Sequence, residues 1–156
     1  MMVEPNIRLF MFCLLLLLPS NLMAISTKIN LNPFPRIHVY IKNGVAKGTN
    51  LTLHCKSKDD DLGVHYLNYQ EEYTFSFHYN VFALQGYTLF FCGFTWNHIL
   101  HWFEIYNWKR DRYFYTNMRW TIQENSPCLF NHATNNYDIC DFAYNQSNPK
   151  LLYNLY

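Results

Sequence analysis

Charge is scarce in this 156-residue chain: Asp, Glu, Lys and Arg together make up 15% of it, and the formal net charge is +1. A chain this close to neutrality is not organised around nucleic acid or an anionic membrane. Long apolar runs are also missing. The only substantial one, Leu9–Leu18, falls short of the roughly 20 residues a spanning helix needs, and none follows it. No CxxC pair occurs, so the usual zinc-ribbon spacing is absent. No G-x-S-x-G, P-loop or dinucleotide fingerprint is present, which removes the common hydrolase elbow and phosphate-cradling loops as starting points. No segment keeps a long 3.6-residue period, no internal repeat is visible, and no linker divides the chain.

The apolar run that does exist has the flanks of an export signal. In "MMVEPNIRLFMFCLLLLLPSNLMA", Arg8 precedes the run, and Pro19, Ser20 and the small residue Ala24 follow it. Residues 1–24 are expected to be a cleaved secretory signal peptide, with the cut after Ala24. Its removal takes one acid, Glu4, and one base, Arg8, so the charge stays at +1. Residues 25–156 suffice for a single domain with a sizeable core. Aromatic residues at 19% of the chain are too many for a disordered tail. The expected product is folded, secreted and extracellular, with no stable membrane insertion.

Cysteine usage agrees with export. Cys13 leaves with the signal, and Cys55, Cys92, Cys128 and Cys140 remain. Four cysteines in a small exported domain read as two disulfides, with three possible connectivities. Two sequons, Asn50-Leu51-Thr52 and Asn145-Gln146-Ser147, make Asn50 and Asn145 candidate glycosylation sites in a eukaryotic secretory pathway.

The dominant hydrophobic period is two. In "EYTFSFHYN", Tyr73, Phe75, Phe77 and Tyr79 alternate with polar residues, the pattern of a strand with one buried face. "RIHVYIK", "NLTLHC", "YTLFFC", "HWFEIYN", "RWTIQ" and "CLFN" read as further strands. Turn-prone residues separate them at Asn43-Gly44, the aspartate run to Gly63, Gly86, and Asn125-Ser126-Pro127. The expected fold is all-β: an antiparallel β-sandwich or barrel of about seven to eight short strands.

Three constellations could carry chemistry. "HCKSKDDDLG" sets Asp59, Asp60 and Asp61 after a strand ending near Cys55. An EF-hand needs alternating oxygen donors, a central glycine and a distal glutamate, which this run does not supply. Asp-rich turns commonly accept backbone N–H bonds, so an exposed turn is expected. His98 and His101 form an HxxH pair, but two ligands make no metal site, and positions three apart on a strand face opposite ways. If they acted as acid and base, the protein would be a small secreted hydrolase or ribonuclease, the alternative function. Lys109, Arg110 and Arg112 sit beside Trp108, Tyr113, Phe114 and Tyr115, a mixture able to form a recognition surface. No catalytic, cofactor or metal residues are assigned.

Taken in order, "CKSKDDDLG", "YTFSF", "TLFFC" followed by Trp96, "FEIY", Arg110-Asp111, "WTI", "PCLFN" and "YDIC" resemble the plant self-incompatibility S-protein homologues. The likeness runs from about Ile37 to Asn145, leaving residues 146–156 as a variable tail. It implies a small secreted β-sandwich with disulfides and no known catalysis. The family's founding members are stigma-secreted ligands of a pollen receptor. For this chain the resemblance implies a monomeric extracellular ligand or signalling protein in reproductive recognition, with a cell-surface protein receptor as partner and Asp59–Asp61, Lys109, Arg110 and Arg112 as candidate receptor-facing loops.

The chain also departs from the family pattern. Tyr115 and Met118 stand where the family usually has two further cysteines. Their joint absence implies Cys55 with Cys92 and Cys128 with Cys140. Ala83-Leu84-Gln85 lengthens the loop before Gly86, and Tyr69-Gln70-Glu71 replaces a usual glycine. These changes fall mostly in loops, so the fold is expected to persist and partner choice to differ.

Overall fold

Alternating side chains build the molecule strand by strand. In the computed structural model, which describes residues 35–78 and 87–145, β1 (Arg36–Asn43) buries Ile37, Val39, Ile41 and Asn43 while its alternate residues face outward. β2 (Leu51–Lys56) likewise buries Leu51, Leu53 and Cys55. β3 (Asp61–Leu67), β4 (Glu72–His78), β5 (Leu89–Trp96), β6 (Ile99–Asn107), β7 (Asn117–Ile122), β8 (Pro127–Asn131) and β9 (Asn136–Ile139) complete nine strands among the described residues. A single helical turn, α1 (Trp108–Asp111), joins β6 to β7. The leader 1–24, the insertion 83–85 and the tail 146–156 lie outside the described residues.

The strands form two sheets, one of order β4-β1-β7-β8-β9 and one of order β3-β2-β5-β6. All pairings between strands are antiparallel except β1 with β7, which run parallel in the middle of the five-stranded sheet. The fold is an all-β sandwich, as the two-residue period implies, with this parallel pair as the departure from a purely antiparallel layout. Two strands escape the pattern. β3 is an edge strand whose Val64 and Tyr66 are exposed at 50% and 75%, so alternation is weak, and Gly63 interrupts it at φ 76°. β9 has four residues and is kinked by a bulge opposite Leu129 and Phe130.

The core lies between the sheets. Val39, Ile41, Met118, Trp120 and Ile122 face Leu53, Phe94, Phe103, Ile105 and Tyr106. Phe77 packs on Phe90 and Tyr106 with ring centres 4.6 and 4.9 Å away, and Trp120 meets Phe103 edge-on at 5.0 Å. Such tilted contacts add to the burial of the rings themselves. At the Asn43-Gly44 turn the backbone of Gly44 donates to Ile122 O at 2.9 Å. A Cβ at Gly44 would collide with Thr121 Oγ1 and crowd Ile122 O at 3.3 Å, so a larger residue there requires Thr121 to shift.

Candidate functional site

The frame comes first, because a surface recognises only what its scaffold holds still. Cys55 and Cys92, directly opposite each other on β2 and β5, are joined across the four-stranded sheet. Cys128 on β8 is joined to Cys140 just beyond β9. This is the connectivity the family resemblance implies. Each bridge is worth about 2–4 kcal/mol through the unfolded chain it restricts. All four cysteines among the described residues are bridged, so none of these four is a thiolate nucleophile.

The aspartate run divides in two. Ser57 Oγ accepts from the N–H groups of Asp59 and Asp60 at 3.2 and 2.9 Å and donates to Asp60 Oδ2 at 3.1 Å, which makes a tight exposed turn. Asp61 is not part of that turn: it opens β3, and pairing with β2 brings it against His54 and Lys56. Its carboxylate meets Lys56 Nζ at 2.7 Å and His54 Nε2 at 2.5 Å and accepts from Gly63 N–H at 3.0 Å. The bonds from Lys56, His54 and Gly63 hold the Asp61 carboxyl far below the usual carboxylate range. The sequence placed the lysines beside the aspartates but missed His54, whose approach depends on strand register. Among the described residues no group of three or more His, Cys, Asp or Glu side chains is arranged to hold a metal.

The basic cluster also divides. Asn107 caps α1, its side chain accepting from Lys109 N–H at 3.0 Å. Asp111 turns inward, 3% exposed, where Asn107 N–H donates to it at 2.7 Å and Arg110 forks onto it through Nε at 2.5 Å and Nη2 at 2.8 Å. Burial pushes the Asp111 carboxyl upward, while Arg110 and the Asn107 N–H oppose the rise. The Arg110 guanidinium sits 5.2 to 5.4 Å from the ring centres of Phe103, Trp120 and Phe142 and donates to Glu104 O at 2.7 Å. Arg110, expected on a receptor-facing loop, is therefore a strut that pins α1 to the core.

Lys109 and Arg112 do face outward. Lys109 Nζ lies 4.8 Å from the Tyr87 ring centre, Tyr87 stacks on Trp108 at 4.6 Å, and Arg112 lies 4.4 Å from both Trp108 and Tyr113. Tyr87 and Tyr113 are 51% and 82% exposed. Among the described residues neither cation is in an ion pair with a carboxylate. The result is a ladder of cations and rings gathered around one helical turn.

The two histidines of the HxxH pair part company. His98 is exposed in the turn between β5 and β6, at φ 63°. His101 stacks on Trp96 with ring centres 3.8 Å apart and lies 5.1 Å from Tyr144, its Nε2 buried without a hydrogen-bond partner. Burial lowers its pKa from the ordinary 6.5. Asn50 and Asn145 are both exposed, although the backbone of Asn145 donates to Trp102 O at 2.7 Å.

The geometry is thus a disulfide-braced sandwich that carries an exposed cation–aromatic ladder. Residues 38–142 match the family of plant self-incompatibility protein S1, and the chain belongs to that family. S-protein homolog 5 of Arabidopsis thaliana is 40% identical over 98 residues, covering 63% of this chain and 74% of the relative. S-protein homolog 29 of the same plant is 35% identical over 109 residues, covering 70% and 78%. A solved structure of SPH (Self-Incompatibility Protein Homologue) proteins, described as small, highly stable and secreted plant proteins, covers 75% of this chain and 91% of its own. Its TM-score is 0.46 at 16% identity.

Proposed function

We infer that the protein is an exported, monomeric, non-catalytic ligand that engages a cell-surface protein receptor through the Lys109–Arg112 end of its sandwich. The observation that carries this reading is the ladder itself: two outward cations, neither in an ion pair with a carboxylate among the described residues, set against the rings of Tyr87, Trp108 and Tyr113 and braced from below by Arg110 and Asp111. Rigid aromatic and arginine side chains are the usual anchors of protein interfaces. The export leader, the disulfides and membership of the S1 family support the same role. No cofactor is required for it. The aspartate turn, Asp59 and Asp60, is a second exposed loop of opposite charge, suited to fixing orientation rather than anchoring.

Binding of the purified, oxidised protein to plant cell surfaces, pollen tubes included, tests this. Saturable binding is expected, weakened at least tenfold in Lys109→Ala/Arg112→Ala, which should keep the wild-type circular dichroism spectrum. It should be absent in a Cys55→Ser misfolding control and unchanged in His98→Ala. Absence of saturable binding to any tissue, or equal binding by the Lys109→Ala/Arg112→Ala variant, would overturn the reading.

A further inference from the structure

The outer face of the five-stranded sheet has a character the receptor reading does not use. Along β1, the residues that alternate with the core set are Arg36, His38, Tyr40 and Lys42. The parallel pairing puts Arg119 of β7 beside Tyr40, with its guanidinium 4.5 Å from the tyrosine ring centre. Lys42 Nζ reaches to 6.0 Å from the ring centre of Tyr137 on β9. Three full positive charges thus lie on one face of a molecule whose net charge is only +1. Within β1, β4 and β7 the one carboxylate is Glu72, at the Lys42 end.

Three features specify the chemistry of an occupant. The cations are strung along the strand: Arg36 and Lys42 are six residues apart, about 20 Å at the rise of a β-strand. Between and beside them the register sets polar side chains, with Ser76 and Asn117 flanking His38 and Thr74 flanking Tyr40. None of the large apolar side chains exposed among the described residues belongs to β1, β4 or β7. A protein partner wants an apolar centre, and an interfacial membrane site wants apolar side chains to insert. A face of cations and hydroxyl-bonding groups without an apolar centre fits a linear, hydroxylated polyanion.

We propose that this face binds a chain of carboxylated sugars, with Arg36, Lys42 and Arg119 meeting successive carboxylates and the intervening polar side chains meeting hydroxyls. The site is on β1 and β7 and uses neither Lys109 nor Arg112, so it stands or falls independently of the receptor reading.

The test is titration of the purified, oxidised protein with a soluble oligogalacturonate, with neutral dextran, polyglutamate and phosphatidylserine vesicles as comparison probes. Two variants with the same loss of charge separate a site from general attraction: Arg36→Gln/Lys42→Gln on the face, and Lys47→Gln/Lys58→Gln at exposed positions elsewhere. Surface ion contacts of this kind should cost the face variant about tenfold in affinity for the two together. The expected result is salt-sensitive binding of the oligogalacturonate, about tenfold weaker in the face variant and unchanged in the other, with no binding of dextran. No binding, equal losses in the two variants, or equal affinity for polyglutamate or the vesicles would overturn the proposal.

Discussion

Asn43 shows how much one side chain can do in a small sandwich. It ends β1 fully buried, donating to Thr49 O at 2.8 Å and Leu67 O at 3.0 Å and accepting from Val45 N–H at 3.1 Å. Leu67 belongs to the other sheet, so this amide ties the two layers as well as its own turn. Replacing it by leucine takes this donor from the buried Leu67 carbonyl and the part-buried Thr49 carbonyl, a loss of about 1–3 kcal/mol for a buried group. Asn43→Leu should lower stability by about 2–4 kcal/mol, read as a lower urea midpoint at unchanged slope. The sequence marks Asn43-Gly44 as a turn, because that dipeptide suits one. It carries no mark of the tie to Leu67, which lies 24 positions away. The same holds for His54 and Asp61, whose meeting depends on a register that local pattern does not display.

At the scale of elements, legibility follows burial. Strands with one face in the core, such as β1 and β4, announce themselves by alternation. The edge strand β3 does not, since its outward residues include Val64 and Tyr66 and its inward ones include His65. The parallel pairing of β1 with β7 joins segments about 80 residues apart, beyond what local spacing signals can show. The basic segment at α1 was visible as a cluster, yet the division of labour within it was not. Arg110 turns inward because Phe103, Trp120 and Phe142, from distant parts of the chain, gather beneath it. That division is testable. Arg110→Ala removes the guanidinium from three rings and leaves the Asp111 carboxylate buried without its partner, at a cost of about 3 kcal/mol. Lys109→Ala removes an exposed side chain whose ring contact is the half-exposed Tyr87, and should stay within about 0.5 kcal/mol of wild type. Thermal melts of the two variants, with a large loss for one and almost none for the other, check the assignment. A like contrast applies to β2 and its turn: Cys55→Ser should cost about 2–4 kcal/mol, whereas Asp60→Ala at the exposed tip should cost under about 0.5 kcal/mol.

For the molecule as a whole, acidity is the variable that the charge pattern makes decisive. His101 has its pKa lowered by burial, so the folded state prefers the neutral ring. Its contribution is present above the ordinary 6.5 and is lost as pH falls below that value, because the unfolded chain takes up the proton more readily. Asp61 is shifted in the same direction by Lys56, His54 and Gly63, below its ordinary 3.8, so its contribution persists above that value and fades as pH falls further. Both groups therefore bind protons more weakly in the folded state, and neither stabilises on acidification. Melting temperature should decline in two stages, a first below about pH 6.5 and a second below about pH 4, to which Glu71, held below its ordinary 4.5 by Asn68, also contributes and which Asp111, raised by burial, partly offsets. His101→Phe keeps a ring against Trp96 and Tyr144 while removing the proton-binding nitrogen, so it should flatten the first stage and leave the second. Asp61→Asn should leave the first stage and reduce the second, with its destabilisation at neutral pH shrinking as the pH falls below 4. Melting curves from pH 7 to pH 3 on the three proteins decide the point, since a first stage that survives in His101→Phe would move the acid sensitivity to some other group.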